Sequence, residues 1–395
     1  MKYAKRLEVL EDRSLLDAFE LKETDEMISF SAGFPSAEAY PLEAIAESFQ
    51  RVMKNQGKEA MSYGSTSGYL PLREIMRQRM KDKFDLDYSL DEISITSGSQ
   101  QGLDMSGMLF VDEGDAVLFE APSYLGAVNA LRAYQADLIS VPTDREGMEI
   151  QSLKKVLDEY GDRVKIIYVN PDFQNPTGRS WSDERRREFM EFMADYDIPV
   201  LEDAAYGELS FDGKYQKPLA YYDKKGQVVY IGTFSKIFCP GLRVAWLCAR
   251  KEIMEKYLVL KNAADLSSST ISQMQMADYL KHNDLDAHIK EISEVYRDRC
   301  RFMAEMIDKE FPPEVTYVMP KGGLFIWLEL PKNKDARELL RRAGERKVAF
   351  IPGTSFYPSG SVNNELRLNF SNMSEEKTRE GIKILAEVTR EYLKE

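Results

Sequence analysis

Between about residue 90 and residue 250, short β-branched, apolar runs alternate with longer amphipathic stretches. The runs are ISIT (93–96), AVLF (116–119), KIIYV (165–169), PVLE (199–202), VVYIG (228–232) and VAWLC (244–248). Short apolar runs separated by helical periodicity read as strands buried on both faces, so the pattern predicts an α/β unit with a mostly parallel sheet and helices on both faces. Beyond about residue 250 the period turns helical through KEIMEKYLVLKNAADL, SQMQMADYLKH and DAHIKEISEVYRDRCRFMAEMIDKEF, where recurring Met, Ile, Leu and Tyr read as core. A strand pair (VTYVMP, GGLFIWLELP), the helix DARELLRRAGERK, the strands VAFIPG and LRLNF, and an amphipathic helix from about Glu375 complete a smaller α+β unit. We expect a large domain over 46–285 and a small one over 286–395. The segment 1–45 should pack with the small domain, because a free arm would not carry the apolar run MISFSAGF.

Composition narrows the chemistry. With 43% hydrophobic and 30% charged residues in 395, the chain reads as globular, neither disordered nor fibrous. Its longest apolar runs fall far short of the ~20 residues of a membrane helix, and the charged N-terminus carries no signal-peptide core, so a cytoplasmic location is expected. A net charge of −13 works against nucleic acid or acidic lipid as a partner. Cys239, Cys248 and Cys300 form no CxxC pair, so neither a disulfide framework nor a cysteine zinc site is expected, and no metal. Only two histidines occur, His282 and His288, both in the polar stretch KHNDLDAHIKE, which reads as solvated. Serine and cysteine triads that need His, and HExxH sites, become improbable together, leaving Lys, Asp, Glu, Tyr or a cofactor as the acid–base group.

Open α/β sheets bind ligands beyond the carboxyl ends of their strands, so the residues after each run hold the functional information. Ser97-Gly98-Ser99-Gln100 follows ISIT and opens a helix: either an anion cradle or, for Ser99, a plain helix cap. EAPSYLG follows AVLF and sets Tyr124 in a turn, as a ring stacker or a structural tyrosine. NPDFQNPTG follows KIIYV, and its Asn-Pro steps would hold Asn175 extended with its amide in the crevice. Asp203 follows PVLE and is itself followed by AAYGE with Tyr206. A shielded carboxylate just past that run could keep a heteroaromatic nitrogen protonated, or could cap a helix. Thr233-Phe234-Ser235-Lys236 follows VVYIG, with Arg243 seven residues beyond the lysine: an amine nucleophile beside an anion site. Each residue alone has an ordinary structural explanation; their convergence on successive strand ends favours one crevice.

On these motifs the sequence resembles the fold-type I pyridoxal-phosphate enzymes, specifically the class I/II aminotransferases, in the branch of aromatic, 2-aminoadipate and kynurenine aminotransferases and of aminotransferase-like halves of certain bacterial regulators. The resemblance runs from FSAGFPS through YGSTSGYLPLR, SGSQQGL, NPDFQNPTG, EDAAYGEL, GTFSKIFCPGLRVAW and GGLFIWLELP to LRLNFSN. It implies a seven-stranded sheet, pyridoxal 5'-phosphate as cofactor, and ping-pong transfer of an α-amino group to 2-oxoglutarate from an aromatic, 2-aminoadipate-like or branched aliphatic amino acid. It implies that Lys236 is the Schiff-base lysine, that Asp203 pairs with the pyridinium nitrogen, and that Tyr124 stacks on the ring. Asn175 and Tyr206 would bond its phenolic oxygen; Ser99, Gln100, Thr233, Ser235 and Arg243 would hold the phosphate. Arg367 would clamp the substrate carboxylate with help from Asn175, and the Gly33 loop would close over it. The alternative for Arg367 is an ion pair with an acid such as Glu365. Tyr63 would reach the phosphate of a neighbouring subunit, making the active unit a homodimer with shared sites; its ordinary reading is packing within the subunit. Thr233 replaces a more usual serine, and in the N-terminal segment only Arg6 and Arg13 are candidate readers of a substrate anion. Two other readings are a different reaction on the same cofactor, such as β-lysis or decarboxylation, and a ligand-sensing regulator. The latter would be expected to carry a basic DNA-binding domain, and the acidic composition weighs against it.

Overall fold

A computed structural model describes residues 1–10, 27–359 and 362–395. Its main sheet has seven strands in the spatial order Ile93–Thr96, Ala245–Cys248, Val228–Thr233, Val200–Asp203, Val164–Val169, Ala116–Ala121, Asp137–Pro142. Six run parallel; Ala245–Cys248 runs against its two neighbours. The seventh strand, Asp137–Pro142, is absent from the six apolar runs. It is one edge of the sheet, only Leu138 and Val141 of it are buried, and Asp and Pro bound it.

Side chains alternate across the sheet. Val117, Phe119, Ile166, Tyr168, Leu201 and Val229 pack with Leu103, Val128 and Tyr257 of helices on one face. Ala116, Leu118, Ile167, Val169, Val200 and Val228 pack with Leu153, Phe189 and Met193 of helices on the other. The antiparallel strand has a direct consequence for the site. Adjacent antiparallel strands need no crossover helix, so the segment 234–244 turns back at once, Phe234 N–H bonding Val244 O at 3.2 Å. Lys236 and Arg243 therefore emerge at the same sheet end as Thr233, which pairs with Ala245.

The smaller sheet is built from Thr316–Tyr317, Phe325–Glu329, Ile351–Pro352 and Glu365–Asn369, with Arg367 opposite Trp327 and Ile351. Helices Leu285–Glu310 and Glu375–Leu393 pack against each other beside it. The boundary expected at 285/286 falls at the first turn of the former. Ile28–Ser29 pairs in parallel with Val348–Ala349, and Phe30 bridges Ala349 O and Asn369 N–H at 2.8 and 2.9 Å. Ser182, Ser269, Asp284, Asp335 and Ser374 cap their helices through side-chain oxygens, as their types favour. The stretch around the histidines is less solvated than expected. His282 is exposed, but His288 is half-buried with its ring 6.2 Å from that of Phe238, because the turn between two helices folds one face of it inward.

Candidate active site

The carboxyl ends of the central strands form a crevice closed on its far side by residues 31–33 and by the small sheet. Asp203 is buried at the end of its strand. Its Oδ2 accepts from the Tyr168 hydroxyl at 2.9 Å and its Oδ1 from Ala205 N–H at 3.2 Å. No helix follows directly, so it is not a helix cap. Burial raises its carboxyl to about 6, against the Tyr168 and Ala205 donors and the Lys236 charge. Lys236 is half-buried and donates from Nζ to Gly33 O at 2.8 Å. Burial lowers its ammonium to about 8; Asp203 opposes the fall, while Arg367 and Arg243 add to it.

Asn175 sits between two functional side chains. Its Nδ2 donates to the Tyr206 hydroxyl at 3.4 Å, and its Oδ1 accepts from Arg367 Nη1 at 2.7 Å. The rest of the Arg367 fork donates to Ser31 O, and Nε has no partner among the described residues. Its guanidinium lies over the Phe325 and Phe356 rings, 4.3 and 5.1 Å from their centroids. Among the described residues it makes no ion pair. Glu365 instead accepts from the Tyr357 hydroxyl at 2.5 Å. Only 4% of Arg367 is exposed, and burial lowers it to about 10. Such a cation, held by neutral acceptors alone, is costly to bury unless an anion joins it.

The anion side lies opposite. The helix Ser99–Phe110 opens after Gly98 with no side-chain cap, so Ser99 is its first residue and not its cap. Gly98 has φ of +80°, and a Cβ there would fall 2.2 Å from an Arg243 Nη, so glycine lets the guanidinium reach the helix N-terminus. Thr233 Oγ1 donates to Ser235 Oγ at 3.0 Å and accepts Ser235 N–H at 3.1 Å, which gathers both hydroxyls at the strand end. Gln100 departs from the expected placement: it is exposed and its amide donates to Gly126 O at 2.9 Å. That bond anchors the turn carrying Tyr124. The Tyr124 ring lies against Gly126, where a Cβ would come within 2.4 Å of Cζ.

Two expected residues stand apart. Tyr63 is 89% exposed on the loop after helix Leu42–Ala60, and none of the described residues covers it. Arg6 lies exposed on the short helix Arg6–Leu10, which touches the helix Leu125–Arg132; Arg13 lies outside the described residues. Sequence reasoning also missed Tyr168, Glu120, Asn170, Ser31 and the Phe325–Phe356 pair. Glu120 is buried; its Oε1 accepts from Asn170 N–H at 2.7 Å and its Oε2 from Trp181 Nε1 at 3.0 Å.

The residues fit pyridoxal phosphate. The uncapped helix start with Arg243, Thr233 and Ser235 suits a phosphate, Asp203 a pyridine nitrogen, and Asn175 with Tyr206 a phenolic oxygen. Fold and crevice together define a fold-type I pyridoxal-phosphate enzyme. The family model for aminotransferase class I and II matches residues 25–385. The chain is 38% identical to aromatic-amino-acid aminotransferase 1 of Thermococcus litoralis, over 96% of this chain and 91% of that one. It is 37% identical to 2-aminoadipate transaminase of Thermus thermophilus, over 99% and 96%. The crystal structure of Pyrococcus horikoshii kynurenine aminotransferase, in complex with PMP, superposes with a TM-score of 0.95 at 37% identity, covering 100% of this chain and 98% of that one. The chain therefore belongs to the class I and II aminotransferases, and it is a pyridoxal-phosphate-dependent transaminase. No helix among the described residues is long and apolar enough to cross a membrane.

Proposed function

We propose that this crevice moves α-amino groups from aromatic, 2-aminoadipate-like or branched aliphatic amino acids to 2-oxoglutarate. The observation that carries the reading is Arg367: a buried guanidinium with no acidic partner among the described residues, bonded at 2.7 Å to Asn175. A planar fork in that state suits the carboxylate shared by amino acid and oxo acid. Pyridoxal phosphate, when bound, supplies the carbonyl that takes the amino group and the ring that withdraws electrons from Cα.

The chain's own residues do the rest. Arg367 and Asn175 orient the substrate through its carboxylate. Asp203, held as an acceptor by Tyr168 and Ala205, keeps a proton on the ring nitrogen. Lys236, whose amine is neutral from about pH 8, is placed to take and return the Cα proton. The apolar cluster Leu125, Trp327, Ile351 and Phe356 lies beside the clamp and favours aromatic or aliphatic side chains. The names of the relatives above support the aromatic and 2-aminoadipate-like classes among these. Mixing the holoenzyme with each amino acid in turn, without oxo acid, and following the cofactor's absorbance tests this. Conversion with one of the named classes, reversed by 2-oxoglutarate, is expected. Release of carbon dioxide or pyruvate without transfer would replace it by decarboxylation or β-lysis.

We also infer a homodimer with shared sites. The Tyr63 loop is fastened to its own subunit by Thr270 Oγ1 to Ser62 O at 3.0 Å and Asn262 Nδ2 to Thr66 Oγ1 at 3.2 Å, yet Tyr63, Met61 and Leu70 stay exposed. Heterodimers of Tyr63→Ala and Lys236→Ala chains should outperform either mutant homodimer; verified heterodimers without that gain would return Tyr63 to its own subunit. We also propose a cytoplasmic location, which three free, buried cysteines support.

A further inference from the structure

The Asn175–Arg367 pair is only as well placed as the main chain beneath it, and that chain is held from an unexpected side. Glu120 lies near the end of strand Ala116–Ala121, four residues before Tyr124, and only 1% of it is exposed. Both carboxylate oxygens are occupied by neutral donors. Oε1 takes the N–H of Asn170, the first residue past strand Val164–Val169, at 2.7 Å, and Oε2 takes the indole N–H of Trp181 at 3.0 Å.

Asn170 then passes the constraint forward through its side chain. Its Nδ2 donates to the main-chain carbonyl of Asp203 at 2.5 Å, and its Oδ1 accepts the N–H of Asn175 at 3.0 Å. Asn175 in turn meets Arg367 and Tyr206. One buried carboxylate thus registers three strand ends, those bearing Tyr124, Asn175 and Asp203. A second tie runs alongside, Gln174 Nε2 to Pro122 O at 2.9 Å. Burial pushes the Glu120 carboxyl up to about 7, against the pull of Gln174, Asn170 and Trp181, with Asp203 adding to the push. A leucine or methionine would avoid that cost if the site only needed filling.

We propose that Glu120 is a positioning residue for amino-group transfer: through Asn170 it sets the Asn175–Arg367 pair that receives the substrate carboxylate. This rests on the reading of Arg367 as the carboxylate clamp. Glu120→Gln is the sharpest probe, because nearly the same shape would turn an NH2 toward one of two N–H donors. KM for amino donor and for oxo acid should both rise about tenfold, as for one charged hydrogen bond lost, with kcat reduced less. The Kd of the 2-methyl derivative of the best donor, which has no Cα proton to lose, should rise by the same factor when titrated through cofactor absorbance.

Glu120→Gln combined with Trp181→Phe removes the donor opposite the new NH2. It should bring both KM values back to within about threefold of wild type, whereas a packing role would make the double variant worse than either single. If Glu120→Gln is too unstable to assay, Asn170→Ala breaks the same relay one step on and should give the same paired KM rise. Unchanged KM and Kd in whichever variant is assayed, or a double variant that only accumulates damage, would overturn the proposal. A wild-type enzyme that converts no amino acid would instead refute the functional reading itself.

Discussion

The turn 170–178 has two faces, and each lies against a buried arginine. On the back face, Arg186 is fully buried and fully answered. Its Nη2 meets Asp172 Oδ1 at 2.6 Å and Pro171 O at 2.9 Å, and its Nη1 meets Asp172 Oδ2 at 3.3 Å and Lys217 O at 3.2 Å. On the front face, Arg367 has Asn175 Oδ1, Ser31 O and two aromatic rings, and no carboxylate among the described residues. The two guanidinium groups respond oppositely: Asp172 raises Arg186 against its burial, whereas burial lowers Arg367 to about 10. The aspartates divide the same way, since Asp172 is neutralised by Arg186 while Asp203 holds only a hydroxyl and an N–H. Where ions are paired within the chain they serve architecture; where they are left half-answered they leave room for the charges of cofactor and substrate.

The largest effect that would sharpen this contrast is at Asp203. Asp203→Ala should slow conversion of bound cofactor by amino acid about 10²–10³-fold with little change in melting temperature. A rate near wild type would make Asp203 as architectural as Asp172. Next comes Arg186→Ala, which strands the Asp172 carboxylate in the interior. Denaturant unfolding should show a loss of about 3–5 kcal/mol, with KM little changed in the folded fraction. Stability held within 1 kcal/mol would show that the back face is no more committed than the front.

A smaller effect concerns pH. Lys236 is lowered toward about 8 by burial, so its reactive, uncharged fraction grows as pH rises and saturates above that value. The rate at which apoenzyme takes up pyridoxal phosphate, followed by stopped-flow absorbance, should climb about tenfold per pH unit below 8 and level off above it. A climb continuing to pH 10 would mean an ordinary solvated lysine.

Much of this crevice is legible in the sequence because polar residues directly after apolar, β-branched runs have few uses in a buried sheet. Asp203, Asn175, Thr233, Ser235 and Lys236 stand out for that reason. Tyr168 does not, since inside KIIYV its ring reads as core and only the fold turns its hydroxyl toward Asp203. Ser31 acts through its main-chain carbonyl, which leaves no trace in side-chain identity. Glu120 bonds the main chain of a residue 50 positions away, and nothing local marks that partner. The edge strand Asp137–Pro142 is half-exposed and lacks the buried run that identifies its neighbours.

The contrast between the two arginines is tested most directly by asking whether Arg367 reads the carboxylate. Single-turnover conversion of the best amino donor is compared with that of the amine lacking only its carboxyl group, in wild type and in Arg367→Lys, which keeps the charge and loses the fork. Wild type should favour the amino acid strongly, and the variant should shrink that preference by at least about a hundredfold while the amine reacts nearly as before. A preference that survives the substitution, with both substrates slowed equally, would contradict the clamp and place the carboxylate elsewhere.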